Sequence, residues 1–227
     1  MTTDDTTAMR HVTATVAAVL FDMDGTLVDS TAVVERTWRS FADRHQVELS
    51  RILAVSHGRR TEETVAEFVS AGVDVAAEAR RIAAEEVADT EGITAVPGAG
   101  ELLARLPRGS WAMVTSAGRR LAEARMAAAG LPMPDVTISA DDVTAGKPDP
   151  EGYLAAAARL GVAPESTLVF EDAEAGLLAA RRCGARTVVV GTAHPPAGQG
   201  LDRVADFRNV LVDADPSTGL LHVTLGP

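Results

Sequence analysis

Two aspartates, Asp22 and Asp24, stand where a short apolar run, Val16-Ala17-Ala18-Val19-Leu20-Phe21, gives out. Residues i and i+2 of a strand project to the same side, so these carboxylates can converge on one small volume. Gly25 follows and lets the backbone turn sharply away. Such a pair suits phosphoryl transfer through a covalent intermediate. One carboxylate attacks phosphorus; the other protonates the leaving oxygen and then acts as base for the hydrolytic water. Like charges this close drive their proton affinities apart and give the two acids different roles. A divalent cation would offset the charge of nucleophile and phosphate. Taken alone, Asp-x-Asp also reads as ordinary loop acids after a strand. A calcium loop is excluded by spacing: Gly25 is fourth from Asp22 rather than sixth, and the twelfth position is Val33 rather than Glu.

The element that must position this pair is a strand buried on both faces of a parallel sheet, which is what an unbroken apolar run over 16–22 implies. Acids just past its carboxyl end lie where open α/β sheets bind ligands. Three further junctions carry suitable residues. A strand over 111–116 ends in Thr115-Ser116, and Ala117-Gly118 lead into a helix over 119–129. Hydroxyls and free amides there make an anion site, although Ser116 could simply cap the helix. Lys147, in Gly146-Lys147-Pro148-Asp149-Pro150, precedes a helix over 152–160. Its proline-restrained backbone could aim a point charge inward, or leave a solvated loop lysine. A strand over 166–170 ends in Glu171-Asp172, before a helix over 175–182. These acids suit a hard cation with oxygen ligands, or merely favour the helix N-terminus. A short strand over 137–140 and a fifth parallel strand over 186–190 extend the sheet, and segments 206–212 and 220–225 are expected to end it.

Between Ser30 and Gly92 the pattern is helical throughout. Val33, Val34, Thr37, Trp38 and Phe41 recur at helical spacing, and further helices are expected near 48–55, 61–71 and 75–90. Ser56-His57-Gly58-Arg59-Arg60 breaks that series. Pro97-Gly98-Ala99-Gly100 starts a helix over 101–106 rather than a dinucleotide loop, because no clear strand enters it and the third glycine is missing. The expected organisation is a flexible tail over 1–14, an α/β core with a Rossmann-like parallel sheet over 15–29 and 97–227, and an all-helical cap over 30–96.

The formal net charge of −11 argues against nucleic acid or an anionic membrane as the main partner, while a hydrophobic content of 46% is that of a globular chain. Cys183, the sole cysteine, permits no intrachain disulfide and reads as a small core residue. No apolar run approaches membrane-spanning length and no signal-peptide pattern opens the chain, so a cytoplasmic protein is expected, as a monomer or weak homo-oligomer.

Phe21-Asp22-Met23-Asp24-Gly25-Thr26-Leu27-Val28-Asp29-Ser30 resembles the first motif, Asp-x-Asp-x-Thr/Val, of the haloacid dehalogenase-like hydrolases. Thr115-Ser116, Gly146-Lys147-Pro148-Asp149-Pro150-Glu151-Gly152-Tyr153 and Glu171-Asp172 follow in the order of that family's second, third and fourth motifs, so the resemblance spans 16–190. It implies that Asp22 is the nucleophile and Asp24 the general acid/base, the residue that separates phosphatases from dehalogenases. It further implies that Thr115, Ser116 and Ala117 bind phosphate and that Lys147 steadies nucleophile and phosphoryl oxygens. Mg²⁺ would be held by Asp22, Asp24 (through its backbone carbonyl), Asp172 and Glu171, the last directly or through water. A helical cap closing over the site and selecting the substrate is implied as well.

The Ser56–Thr61 break and the return through 91–98 are similar to the small sugar-phosphate and glycerol-phosphate phosphatases of the superfamily. The substrate implied is a small phosphorylated metabolite, with Gly58, Arg59 and Arg60 facing it; solvated arginines at a helix entry are the plainer alternative. His57 reads as a packing or hydrogen-bonding residue, since no second His or Cys stands at ligand spacing. Two rivals remain. A phosphomutase of the same fold carries a histidine in the first cap helix, where this chain has Val34. A phospho-acceptor signalling domain needs neither Asp24 nor a helical insert.

Overall fold

The computed structural model describes residues 12–226. Eleven strands and eight α-helices occur among them. β1 (Val12–Val16) and β2 (Ala18–Phe21) are followed by β3 (Val28–Asp29), α1 (Thr31–His45), α2 (Leu49–Ser56), α3 (Thr61–Phe68), α4 (Val75–Ala88) and β4 (Thr94–Ala95). Then come α5 (Ala99–Arg105), β5 (Trp111–Val114), α6 (Arg119–Ala128), β6 (Val136–Ile138), α7 (Glu151–Leu160), β7 (Thr167–Glu171), α8 (Glu174–Arg182), β8 (Arg186–Val190), β9 (Asp202–Val204), β10 (Val210–Ala214) and β11 (Leu221–Leu225).

Six strands form one parallel sheet in the order β6-β5-β2-β7-β8-β9. The chain works outward from β2 through β5 to β6, then crosses back to β7 on the other side of β2. Such a reversal opens a crevice at the carboxyl ends of the strands. All four residues of β2 are buried, as its apolar run requires. Phe21 stacks on Phe170 with ring centroids 5.4 Å apart and takes Trp111 edge-on at 5.9 Å, which locks the three central strands together. The β2–β7 ladder continues one residue further, where the Asp22 amide donates to the Phe170 carbonyl at 3.0 Å. Asp22 therefore leaves the sheet in a fixed direction.

Between β3 and β4 the helices α1–α4 build a second body around their own core of Trp38, Phe41, Ala42, Ile52, Val65, Ala79 and Ile82. The fold is the expected α/β core carrying an inserted helical cap. β3 and β4 pair antiparallel, Val28 with Ala95 and Asp29 with Thr94, so the outgoing and returning chains meet in a two-stranded ribbon.

Two expectations need correction. The tail expected over 1–14 is contradicted at its end: Val12, Thr13 and Ala14 belong to β1, while residues 1–11 lie outside the described residues. Threonines alternate there with Val12, Ala14 and Val16, and Ala14 and Val16 are buried. The segments expected to end the parallel sheet do not join it either: β11 pairs antiparallel with both β1 and β10 in a separate three-stranded sheet, and the parallel sheet ends in β9.

Candidate active site

Asp22, Lys147, Glu171 and Asp172 converge at the carboxyl ends of β2 and β7. Lys147 Nζ is hydrogen-bonded to Asp22 Oδ1 and, at 2.7 Å, to Glu171 Oε1. The Tyr153 hydroxyl approaches Glu171 Oε1 at 3.4 Å, and the Ala173 amide donates to Glu171 Oε2 at 2.8 Å. Thr26 Oγ1 donates to Asp172 Oδ1 at 3.1 Å. Asp22, Lys147 and Glu171 are all buried. Burial pushes the Asp22 carboxyl up to about 7 against the pull of Lys147, with Glu171 and Asp24 adding to the rise. Burial likewise holds Asp172 well above its usual range, reinforced by Glu171 and Asp22. Burial alone would lower Lys147, but Asp22 and Glu171 keep its ammonium well above the ordinary value.

One lysine thus faces three packed carboxylates, an arrangement short of positive charge. Oxygens of Asp22, Glu171 and Asp172 lie within 4.8 Å of one another, a hard-oxygen set of the kind that takes Mg²⁺. Two glycines make room for it. Gly25 has φ +83°, and a Cβ there would collide with the Asp172 carboxylate. A Cβ at Gly176 would strike the Glu171 carboxylate. The residues present fit a divalent cation.

Asp24 lines the same cavity as Asp22 and Asp172 but is held by other partners. Its side chain is 29% exposed at this cavity of about 150 Å³ between core and cap. Ser30 Oγ donates to Asp24 Oδ1 at 2.7 Å, and Arg125 Nη1 donates to Asp24 Oδ2 at 2.7 Å. Arg125 Nη2 continues to Glu86 Oε1 on α4, also at 2.7 Å. Burial raises the Glu86 carboxyl despite Arg125, whereas Asp24 and Glu86 raise the Arg125 guanidinium despite its burial. Nothing in the sequence motifs pointed to Arg125 or Glu86. Each stands among other charged residues of a helix, Arg119, Arg120 and Glu123 or Glu78 and Glu85, and only packing distinguishes the buried one.

Thr115, Ser116 and Ala117 line the same cavity beyond β5. The Ala117 amide donates to Thr115 Oγ1 at 3.1 Å, and Ser116 Oγ donates to the Gly58 carbonyl of the cap at 2.7 Å. Gly58 has φ +74°, and a Cβ there would press on Ala173 at 2.8 Å, so only glycine lets this cap loop settle onto the core. Arg59 lines the cavity while its guanidinium pairs with Glu67 at 2.9 Å and Glu63 at 3.9 Å. The structure does not bring Arg60 to that cavity. Its guanidinium donates to the carbonyls of Thr144 at 3.0 Å, Ala140 at 3.3 Å and Val143 at 2.7 Å. Arg60 therefore fastens the cap to the core, a corrected placement for a residue expected to face substrate. His57 and Val34 also line the cavity. No helix among the described residues is long and apolar enough to cross a membrane.

This geometry agrees with what comparison with known proteins shows. Hexitol phosphatase A of Escherichia coli is 43% identical over 175 residues, covering 75% of this chain and 81% of that protein. Validoxylamine A 7'-phosphate phosphatase of Streptomyces hygroscopicus subsp. limoneus is 41% identical over 182 residues, covering 77% of this chain and 85% of that protein. The crystal structure of CbbY from Rhodobacter sphaeroides in complex with phosphate superposes with a TM-score of 0.72 at 27% identity, covering 85% of this chain and 95% of that one. Residues 16–184, which include all four motif segments and the whole helical insert, match the haloacid dehalogenase-like hydrolases, and the chain belongs to that family.

Proposed function

We propose that this phosphoric monoester hydrolase is a Mg²⁺-dependent phosphatase of small sugar or polyol monophosphates, acting through an aspartyl-phosphate on Asp22. Residues 12–29 and 97–226 form its catalytic core and 30–96 its cap. The observation that carries the reading is the division between the two aspartates at one cavity: Asp22 is buried against Lys147, whereas Asp24 is 29% exposed there and held by Ser30 and Arg125. An Asp22 oxygen attacks phosphorus, the bond from phosphorus to the ester oxygen breaks, and Asp24 gives that oxygen its proton. Water then attacks the acyl phosphate, Asp24 takes up its proton, and cleavage of the phosphorus–Asp22 bond frees inorganic phosphate. Asp22, Asp172, Glu171 and the Asp24 backbone carbonyl would hold Mg²⁺, which when bound supplies charge neutralisation for nucleophile and phosphate. Lys147 steadies Asp22 and the phosphoryl oxygens. Thr115, Ser116 and Ala117 receive the phosphate, for which Ser116 must redirect the proton it now gives to Gly58.

Substrate size is supported by the cavity. About 150 Å³ under a docked cap suits a small hydroxylated carbon chain and has no room for a folded protein surface. The relatives named above act, by their names, on a hexitol phosphate and on validoxylamine A 7'-phosphate, both polyhydroxylated monophosphates. A mutase on this fold finds no support at Val34, an apolar cavity residue with no proton to exchange with a sugar hydroxyl. The test follows free phosphate and isomerised sugar phosphate together, from glycerol phosphate and a hexose monophosphate, with and without Mg²⁺. Multiple-turnover, Mg²⁺-dependent phosphate release is expected. Isomer formed without stoichiometric phosphate, or activity confined to phosphoproteins, overturns the reading.

A further inference from the structure

Glu86 and Arg125 are both buried at the cavity wall, and neither has a role in the steps above. Arg125 spans them: one terminal nitrogen holds Asp24 and the other holds Glu86. Asp24 is the acid that must reach the ester oxygen, so the leaving group is delivered beside Asp24. The Glu86 carboxylate then stands one guanidinium away from that leaving group. Only its Oε1 is engaged, and no other hydrogen bond to this carboxylate is made among the described residues.

We propose that Glu86 determines specificity at this site: its carboxylate accepts hydrogen bonds from the hydroxyls of a neutral polyol leaving group and rejects leaving groups that carry a second anionic group. The proposal rests on the phosphatase reading and adds what the cavity discriminates. A carboxylate only accepts hydrogen bonds, so it recognises hydroxyl donors, and its charge strengthens each such bond. The same charge opposes a second phosphate or carboxylate, which would be desolvated beside it without a counter-ion. The permanently charged groups of the lining offer no relief. Asp22, Asp24, Glu86 and Asp172 are its acids, and its two arginines are already taken, Arg59 by Glu63 and Glu67 and Arg125 by Asp24 and Glu86. Two other polar atoms of this wall, Ser56 Oγ and Arg125 Nε, are buried without a hydrogen-bond partner, and a hydroxylated chain could supply them. Val34, Trp38 and Leu121 give its carbon atoms an apolar surface.

Glycerol 3-phosphate and 3-phosphoglycerate make the decisive pair, because they differ by a hydroxymethyl against a carboxylate at the end remote from phosphorus. With Mg²⁺ present, the wild-type protein is expected to favour the glycerol ester at least about a hundredfold in kcat/KM. Glu86→Gln, which retains an acceptor for Arg125, should narrow that preference at least about tenfold, mainly by raising the rate on 3-phosphoglycerate. Glu86→Asp, which keeps the charge, should preserve it. A wild-type ratio near one overturns the proposal without recourse to any variant, and so does a Glu86→Gln enzyme that loses both activities in equal proportion. Release of phosphate from neither ester, nor from any other small monophosphate, would instead overturn the phosphatase reading.

Discussion

Asp22 and Asp24 are two residues apart, yet the protein holds them by opposite means. Asp22 is anchored by the sheet: its amide extends the β2–β7 ladder and its side chain meets Lys147, both partners in the core. Asp24 is anchored across the seam, by Ser30 at the exit to the cap and by Arg125, whose other end is tied to cap helix α4. The difference teaches where each half of the chemistry is set. The hydrogen bonds of the nucleophile stay within the core, whereas the partner of the acid/base, Arg125, is itself tied to the cap.

The largest expected effect lies on the core side. Asp22→Asn removes the attacking carboxylate and should cut kcat by about a thousandfold or more, with an unchanged circular dichroism spectrum. Asp24→Asn should cost on the order of a hundredfold to ten-thousandfold, the usual worth of a general acid/base, while still permitting slow phosphorylation of Asp22 detectable by mass spectrometry. If the two variants were equivalent in single-turnover labelling, the contrast between them would fail.

Next in size is Asp172→Ala. It should raise the Mg²⁺ concentration for half-maximal rate by about tenfold or more, and chelation should abolish wild-type activity until Mg²⁺ is restored. An unaltered metal dependence would remove Asp172 from the ligand set. Arg60→Met tests the seam. It deletes three bonds to core carbonyls, so KM should rise by about tenfold while kcat changes by less than about threefold. A pure kcat loss would mean that docking of the cap is not what Arg60 provides.

The smallest effect concerns stability. Ser139, Arg159 and Arg119 bind the Asp142 carboxylate and hold it well below the usual range despite its partial burial. A depressed folded pKa contributes stability that is present above the unfolded value of about 4 and is lost as pH falls through the folded one. Asp142→Asn should therefore lower stability by about 1–2 kcal/mol at neutral pH in urea melts, and the gap to wild type should shrink as the solution is acidified.

The parts of the site at strand ends were legible because an apolar run announces the strand and the next residues must lie at its mouth. That rule makes Asp22, Asp24, Thr115, Ser116, Glu171 and Asp172 candidates, while the family resemblance, not local pattern, lifts them and Lys147 above ordinary loop and capping residues. Arg125 and Glu86 were not legible, because a charged residue in a helix gives no sign of which face it occupies until the helices pack. Arg60 was misplaced for a related reason: adjacent arginines in a turn point apart, and Arg59 alone faces the cavity. At the chain ends, the Thr-rich alternation of β1 read as a tail because its partner, β11, lies more than two hundred residues away, beyond the reach of local pattern.

The ribbon of β3 and β4 carries a consequence for how such a molecule diversifies. Val28 and Ala95 are paired partners, so everything from Ser30 to Ile93 is one excursion that starts and finishes at the same place on the core. Closing a chain excursion costs entropy that grows only with the logarithm of its length, about 0.6 kcal/mol for each doubling. Residues can therefore be added to or removed from the excursion at little expense to the sheet below, so long as the new segment supplies its own core, as Trp38, Phe41 and Ile52 help to do here. Reaction chemistry and substrate choice are thereby left free to change on separate schedules.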